Sequence, residues 1–176
     1  MRLRGGRVAK AVFIMMLWAA CSWAQGGAAR GPRSPARSPL VLSGQSLSDL
    51  ERKIAGANRT EELFGGEGMQ LRVAVQHEKD KPAGPAEVHD DSDDVYYVLD
   101  GAATLVLGGA LDSPREVEPG EWRGARIIGG QTFEVKKGDL IIVPRGTPHQ
   151  RSTVGKDFSM ILIKIFASPV RAAGTR

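Results

Sequence analysis

Residues 87–101, EVHDDSDDVYYVLDG, run four aspartates straight into an apolar strand. Like charges this close repel, and a strand end is partly desolvated. Asp90, Asp91, Asp93 and Asp94 therefore either sit in a hydrated turn or face a cation. Glu87 and His89 are two apart, and in an extended strand such side chains share a face. The polar DDSD segment is short enough to be a hairpin turn, which would bring Asp94 alongside His89. Farther on, GDLIIVPRGTPH, residues 138–149, reads as a buried strand, a Pro-Gly turn and then His149. With that strand beside the first pair, Glu87, His89, Asp94 and His149 converge inside a barrel.

The surrounding sequence supports an all-β reading. From residue 69 onward, MQLRVAVQ, DVYYVLD, AATLVLGG, GARIIGG, QTFEVKKG, DLIIVP and SMILIKIF are short and rich in Val, Ile, Leu and Tyr. Gly, Pro and Asp punctuate them. One helix precedes the strands. In SLSDLERKIAGANRTEELF, residues 46–64, Ser48 and Glu51 spell a capping box, with Leu50 and Ile54 on one face. No amphipathic helix separates the strands, so the fold class is a single antiparallel β-barrel or jelly roll with a short N-terminal helix.

These segments resemble the two short motifs of the cupin superfamily, small β-barrels that commonly hold a metal. The first motif runs His-x-His, three or four residues, Glu, six residues, Gly. Counting back from Gly101 over VYYVLD puts Asp94 in the Glu slot, His89 in the second His slot and Glu87 in the first. The second motif runs Gly, five residues, Pro-x-Gly, two residues, His, three residues, Asn. Gly138, Pro144, Gly146 and His149 fill it in register, and Thr153 takes the Asn slot. Together the motifs and flanking strands cover most of residues 69–167.

The resemblance implies one divalent metal bound by Glu87, His89, Asp94 and His149. Two imidazoles with two carboxylates favour Mn²⁺ or Fe²⁺, admit Zn²⁺ or Ni²⁺, and disfavour soft Cu(I). Four protein ligands on a six-coordinate ion leave about two positions open. The expected function is that of a metalloenzyme acting on a small oxygenated molecule, of dioxygenase, isomerase or decarboxylase type. A non-catalytic module binding a metal or small molecule is the alternative, and an empty barrel a third. No general base stands out. Family resemblance also allows two copies to pair as a homodimer.

Other residues read more plainly. Asp90, Asp91 and Asp93 are expected at the wet tip of the turn. His77 reads as a strand-end histidine at the surface. Arg72 and Lys164 interrupt apolar strands, either snorkelling on the outer wall or anchoring an anionic substrate within. By parity Tyr96 shares a face with Asp94 and Tyr97 takes the other. The long stretch LGGALDSPREVEPGEWRGARIIGG, residues 107–130, reads as a hairpin or lid.

The charge balance places these elements in context. The chain has 176 residues, room for one well-buried domain, and a formal net charge of +4. Residues 1–24 hold Arg2, Arg4, Arg7 and Lys10 and no acid; without them 20 basic side chains face 20 acidic ones. Arg30, Arg33 and Arg37 lie in residues 25–40, again without an acid, leaving 17 against 20. Such a domain has no electrostatic reason to attract nucleic acid.

The N-terminus reads as an export signal over residues 1–24. The basic MRLRGGRVAK precedes the apolar AVFIMMLWAA, with Ser22 and Ala24 placed for cleavage after Ala24. That predicts a periplasmic or secreted protein. LWAAC also resembles a lipoprotein cleavage site, which would leave Cys21 lipidated and the protein membrane-anchored. Cys21 is the sole cysteine, so the domain has no internal disulfide. Residues 25–44, rich in Gly, Pro, Ser and Arg, read as a disordered linker to a domain over 45–176.

Overall fold

The computed structural model describes residues 37–171; the expected signal segment, Cys21 and the linker up to residue 36 lie outside them. Among the described residues are one helix and twelve strands. Helix α1 spans Gly44–Ile54. Its cap differs from the sequence expectation. Ser43 is the N-cap, its Oγ accepting from Ser46 N at 3.0 Å, while Ser48 lies inside and donates to Gly44 O. A local Ser-x-x-Glu match cannot tell which of three nearby serines starts the helix. Ile54, only 1 % exposed, anchors α1, and Arg52 and Lys53 face the carbonyl end of its dipole favourably.

The strands are β1 Arg59–Phe64, β2 Leu71–Lys79, β3 Ala86–His89, β4 Ser92–Leu107, β5 Ala110–Leu111 and β6 Arg115–Glu118. They continue with β7 Glu121–Gly124, β8 Ile127–Ile128, β9 Gln131–Lys136, β10 Leu140–Val143, β11 His149–Ser152 and β12 Asp157–Phe166. All pairings are antiparallel. One wall runs β1-β2-β12-β4-β10; the other contains β9, β4, β11, β3, β7 and β6.

Strand β4 belongs to both walls. Its first half pairs with β12 and β10, its second with β9 and β11. The sequence suggested two strands here, and the structure joins them through Gly101 at φ 75°. A Cβ there would collide with the Asp157 carbonyl, so glycine is required both by conformation and by close approach. Between the walls Tyr96, Val98, Leu105, Val143, Phe158 and Met160 form the core. Alternation along β4 and β12 sends these residues inward and Tyr97 outward, as parity predicts.

Three expectations are corrected. The β3–β4 connection is not a hairpin: β3 pairs with β11 and β7, so the chain crosses between walls at Asp90 and Asp91. Strand β10 is buried on one face only, with Val143 in the core and Leu140 and Ile142 each 62 % exposed; the strand beside β3 is β11, which begins at His149. His77 is buried rather than at the surface. Its Nδ1 lies 2.9 Å from Ser159 Oγ and its Nε2 accepts from Gly56 N at 3.2 Å, pinning the end of α1 to the barrel wall.

Candidate metal centre

Three strands deliver the site. On β3, Glu87 and His89 point to one face; β11 opens with His149 in register with Glu87. Asp94 enters from the opposite wall on β4. The His89 and His149 rings lie 5.0 Å apart between centroids. Glu87 Oε2 is 3.8 Å from each Nε2. Asp94 Oδ2 is 3.6 Å from His89 Nε2 and 4.0 Å from His149 Nε2. Donor atoms of Glu87, His89 and His149 gather within 4.8 Å of one another, and Asp94 lies against both imidazoles.

The hydrogen bonds set the direction of the lone pairs. His149 Nδ1 donates to the Thr147 carbonyl at 3.0 Å, so the neutral ring carries its lone pair on Nε2. Burial lowers the His149 pKa and favours that neutral form. His89 Nδ1 meets Glu121 Oε2 at 2.6 Å, which likewise turns Nε2 toward the centre. Both Nε2 atoms thus face carboxylate oxygens at separations beyond hydrogen-bond length. Separations of 3.6–4.0 Å match donors gathered around one ion at roughly 2.0–2.2 Å from each. Among the described residues, Asp94 Oδ1 is the one buried side-chain polar atom with no hydrogen bond. The donor set fits a divalent cation, while Asp94 Oδ1 is itself ion-paired with Lys164 Nζ at 2.8 Å.

Two flanking residues, Glu121 and Arg123, lay beyond the sequence reading, whereas Lys164 and Tyr96 figure in it. Glu121 sits on β7, directly opposite His89 in the β3–β7 register, inside the stretch expected only to be a hairpin or lid. It orients His89 as carboxylates orient metal-binding imidazoles elsewhere. Arg123, two residues on, lies 3.6 Å from Glu87 Oε1 and 3.3 Å from Glu121 Oε2. Lys164 does not snorkel outward. It is 8 % exposed, with Nζ 3.1 Å from Ser92 Oγ and 2.8 Å from Asp94 Oδ1, out of hydrogen-bond alignment with the latter. Tyr96 donates to Asp94 Oδ2 at 3.0 Å, and burial raises its hydroxyl pKa well above the ordinary value, so it remains a donor.

The remaining acids are not merely a wet turn. Asp93 holds Arg145 through the backbone N–H at 2.8 Å and the guanidinium at 2.6 Å, which ties the first motif to the Pro-Gly turn of the second. Those bonds hold the Asp93 carboxyl down at about 2. Asp90 accepts from Trp122 Nε1 at 2.8 Å, fixing the β6–β7 side. Thr153, in the Asn slot, is fully buried and exchanges bonds with Lys81 through Oγ1 and its N–H.

The site opens into a cavity of about 470 Å³. At its other end Glu78 accepts from Arg151 at 2.8 and 3.0 Å and from Lys81 at 2.6 Å. Burial alone would raise the Glu78 pKa, but those cations hold it at about 2. The Arg151 guanidinium lies 5.6 Å from both the Tyr96 and Phe158 ring centroids. Arg72, by contrast, turns to Glu62 at the rim, with Nε 2.8 Å from its carboxylate.

A solved structure among the proteins this chain resembles shares its architecture. No family model matches the chain. Uncharacterized protein MJ1618 of Methanocaldococcus jannaschii is 31 % identical over 67 residues, which is 38 % of this chain and 37 % of that protein. The match thus spans little more than a third of that relative's length. The crystal structure of BH2720 from Bacillus halodurans superposes with a TM-score of 0.52 at 18 % identity, covering 78 % of this chain and 87 % of that one. A Klebsiella pneumoniae protein with a double-stranded β-helix domain gives a TM-score of 0.46 at 17 % identity, covering 66 % and 83 %. The strand order, the two motifs meeting at one interior point and the likeness to BH2720 give this chain the cupin fold.

Proposed function

We propose that the protein binds one divalent metal through Glu87, His89 and His149, with Asp94 as fourth ligand, and acts as a metalloenzyme on a small oxygenated molecule. The observation that carries this reading is the convergence of two imidazole Nε2 atoms and two carboxylate oxygens 3.6–4.0 Å apart. Lys164 and Arg123 meet the carboxylates at the edge of the set, and a divalent cation at its middle would draw on all four members. Mn²⁺ or Fe²⁺ suits the mixed nitrogen and oxygen donors best. When bound, the metal would polarise a substrate oxygen and leave positions open to it. Around it the chain's own residues hold the geometry: Glu121 orients His89, Thr147 orients His149, and Tyr96 steadies Asp94.

The experiment is metal analysis of protein purified without chelator. Wild type should carry about one ion per chain, and His149→Ala or Glu87→Ala should lose it while keeping the fold by circular dichroism. Full metal content in both variants overturns the reading. An ion that exchanges none of its waters for small ligands would favour the non-catalytic binding module instead. Export through the basic and apolar N-terminal segment is proposed with it, and fractionation of expressing cells tests this.

A further inference from the structure

The cavity has a second charged end that the metal reading does not use. Lining it are Glu78, Arg151 and Lys81, one carboxylate against two cations. Arg151 is a built feature rather than a surface charge. Its side chain is 16 % exposed, it lies against Tyr96 and Phe158, and Glu78 and Gln76 fix its Nε and Nη2. Its Nη1 meets only the thioether of Met160 at 3.6 Å, a weak acceptor for a charged donor. At the other end, Glu87, Asp94 and Glu121 face Arg123 and Lys164, three acids against two cations. A bound divalent ion turns that end's net charge from −1 to +1. Arg72 is held by Glu62, so Glu118, opposite Glu121 in the β6–β7 register, remains a further acid on the exposed side of the lining. The loaded cavity thus offers the ion at one end and one unit of positive charge at the Arg151–Lys81 end.

We infer that the pocket takes a small dianion with two separated acidic groups, a dicarboxylate in chemical class. One end occupies the metal and the other the Arg151–Lys81 end. This rests on the metal reading above. Arg151 supplies the Nη1 edge of its guanidinium as a charged donor to a carboxylate, its Nε and Nη2 being held by Glu78 and Gln76, and Lys81 supplies the surplus charge. The flanking rings and Met160 keep water off that edge, which strengthens the contact.

Calorimetric titration of manganese-loaded protein with acetate, succinate and glutarate tests the inference. Succinate or glutarate should bind at least roughly tenfold more tightly than acetate. Lys81→Met and Arg151→Met should each shrink that preference to within about threefold, with acetate affinity and metal content unchanged. Equal binding of all three probes, or a preference that survives both substitutions because both carboxylates chelate the ion, overturns it. Should Arg151→Met fail to fold, Lys81→Met decides alone, since its half-exposed side chain can go without disturbing the Arg151–Glu78 pair. Wild type that holds no metal sinks the previous reading and this one together; metal with no dicarboxylate preference sinks this one only.

Discussion

The two ends of the cavity solve the problem of buried charge in opposite ways. At the Glu78 end every charge meets an opposite one at hydrogen-bond distance, with Arg151 in a fork and Lys81 beside it. At the His89 end, like-minded acceptors converge and stay 3.6–4.0 Å apart. The first arrangement is fixed by its own ion pairs and carries one surplus positive charge. The second meets cations only at its edge, Lys164 at Asp94 Oδ1 and Arg123 at Glu87, and the proposed metal would join it between the imidazoles. The two ends thus hold charge differently, although both are made of the same residue types.

Breaking the ion-paired end should cost the most. Glu78→Ala would leave the Arg151 guanidinium buried without its partner and destabilise the fold by about 3–5 kcal/mol, read as a lowered midpoint in chemical denaturation. Acid reaches the same pair more gently. The Glu78 carboxyl titrates at about 2 in the fold against an ordinary 4.5. Its contribution is therefore full above about 4.5, falls as pH drops below that, and is gone below about 2. On the order of 2–3 kcal/mol is at stake, discounted for the half-exposed Lys81. Denaturation curves from pH 7 to 3 should show this slope in wild type and lose part of it in Glu78→Gln.

At the convergent end the same logic predicts weak structural and strong binding effects. Glu121→Gln removes the charge that orients His89 and should lower metal affinity by about 10–100-fold, with little change in denaturation midpoint; metal titration against a chelator measures it. The smallest effect belongs to the rim. Arg72→Gln breaks an ion pair with Glu62 whose members are 44 % and 48 % exposed, and should cost no more than about 1 kcal/mol. A large loss there would mean that burial is not what separates the two ends.

The sequence displayed the convergent end more clearly than the ion-paired one. Period-two alternation put Glu87 with His89 and Asp94 with Tyr96, and the fixed spacing of the second motif put His149 opposite them. Arg151 was open to the same argument, being two residues beyond His149 in β11 and so on the same face. Lys164 was masked because β12 is apolar on both faces, leaving no alternation to say which side is interior. Glu121 had no local signal at all. Its place opposite His89 depends on how the β6–β7 hairpin docks against β3, a register that no single segment encodes. His77 failed for a related reason, since its burial comes from α1 folding over it rather than from its own strand.

The passage of β4 through Gly101 has a consequence for how the molecule breathes. One unbroken backbone carries Asp94 in the first wall and stitches β9 and β11, with His149, into the second. Neither wall can peel away without tugging the other, so their slowest amide protons should exchange in a single cooperative opening. Ligand captured at one rim would then quieten fluctuations on the far side of the barrel.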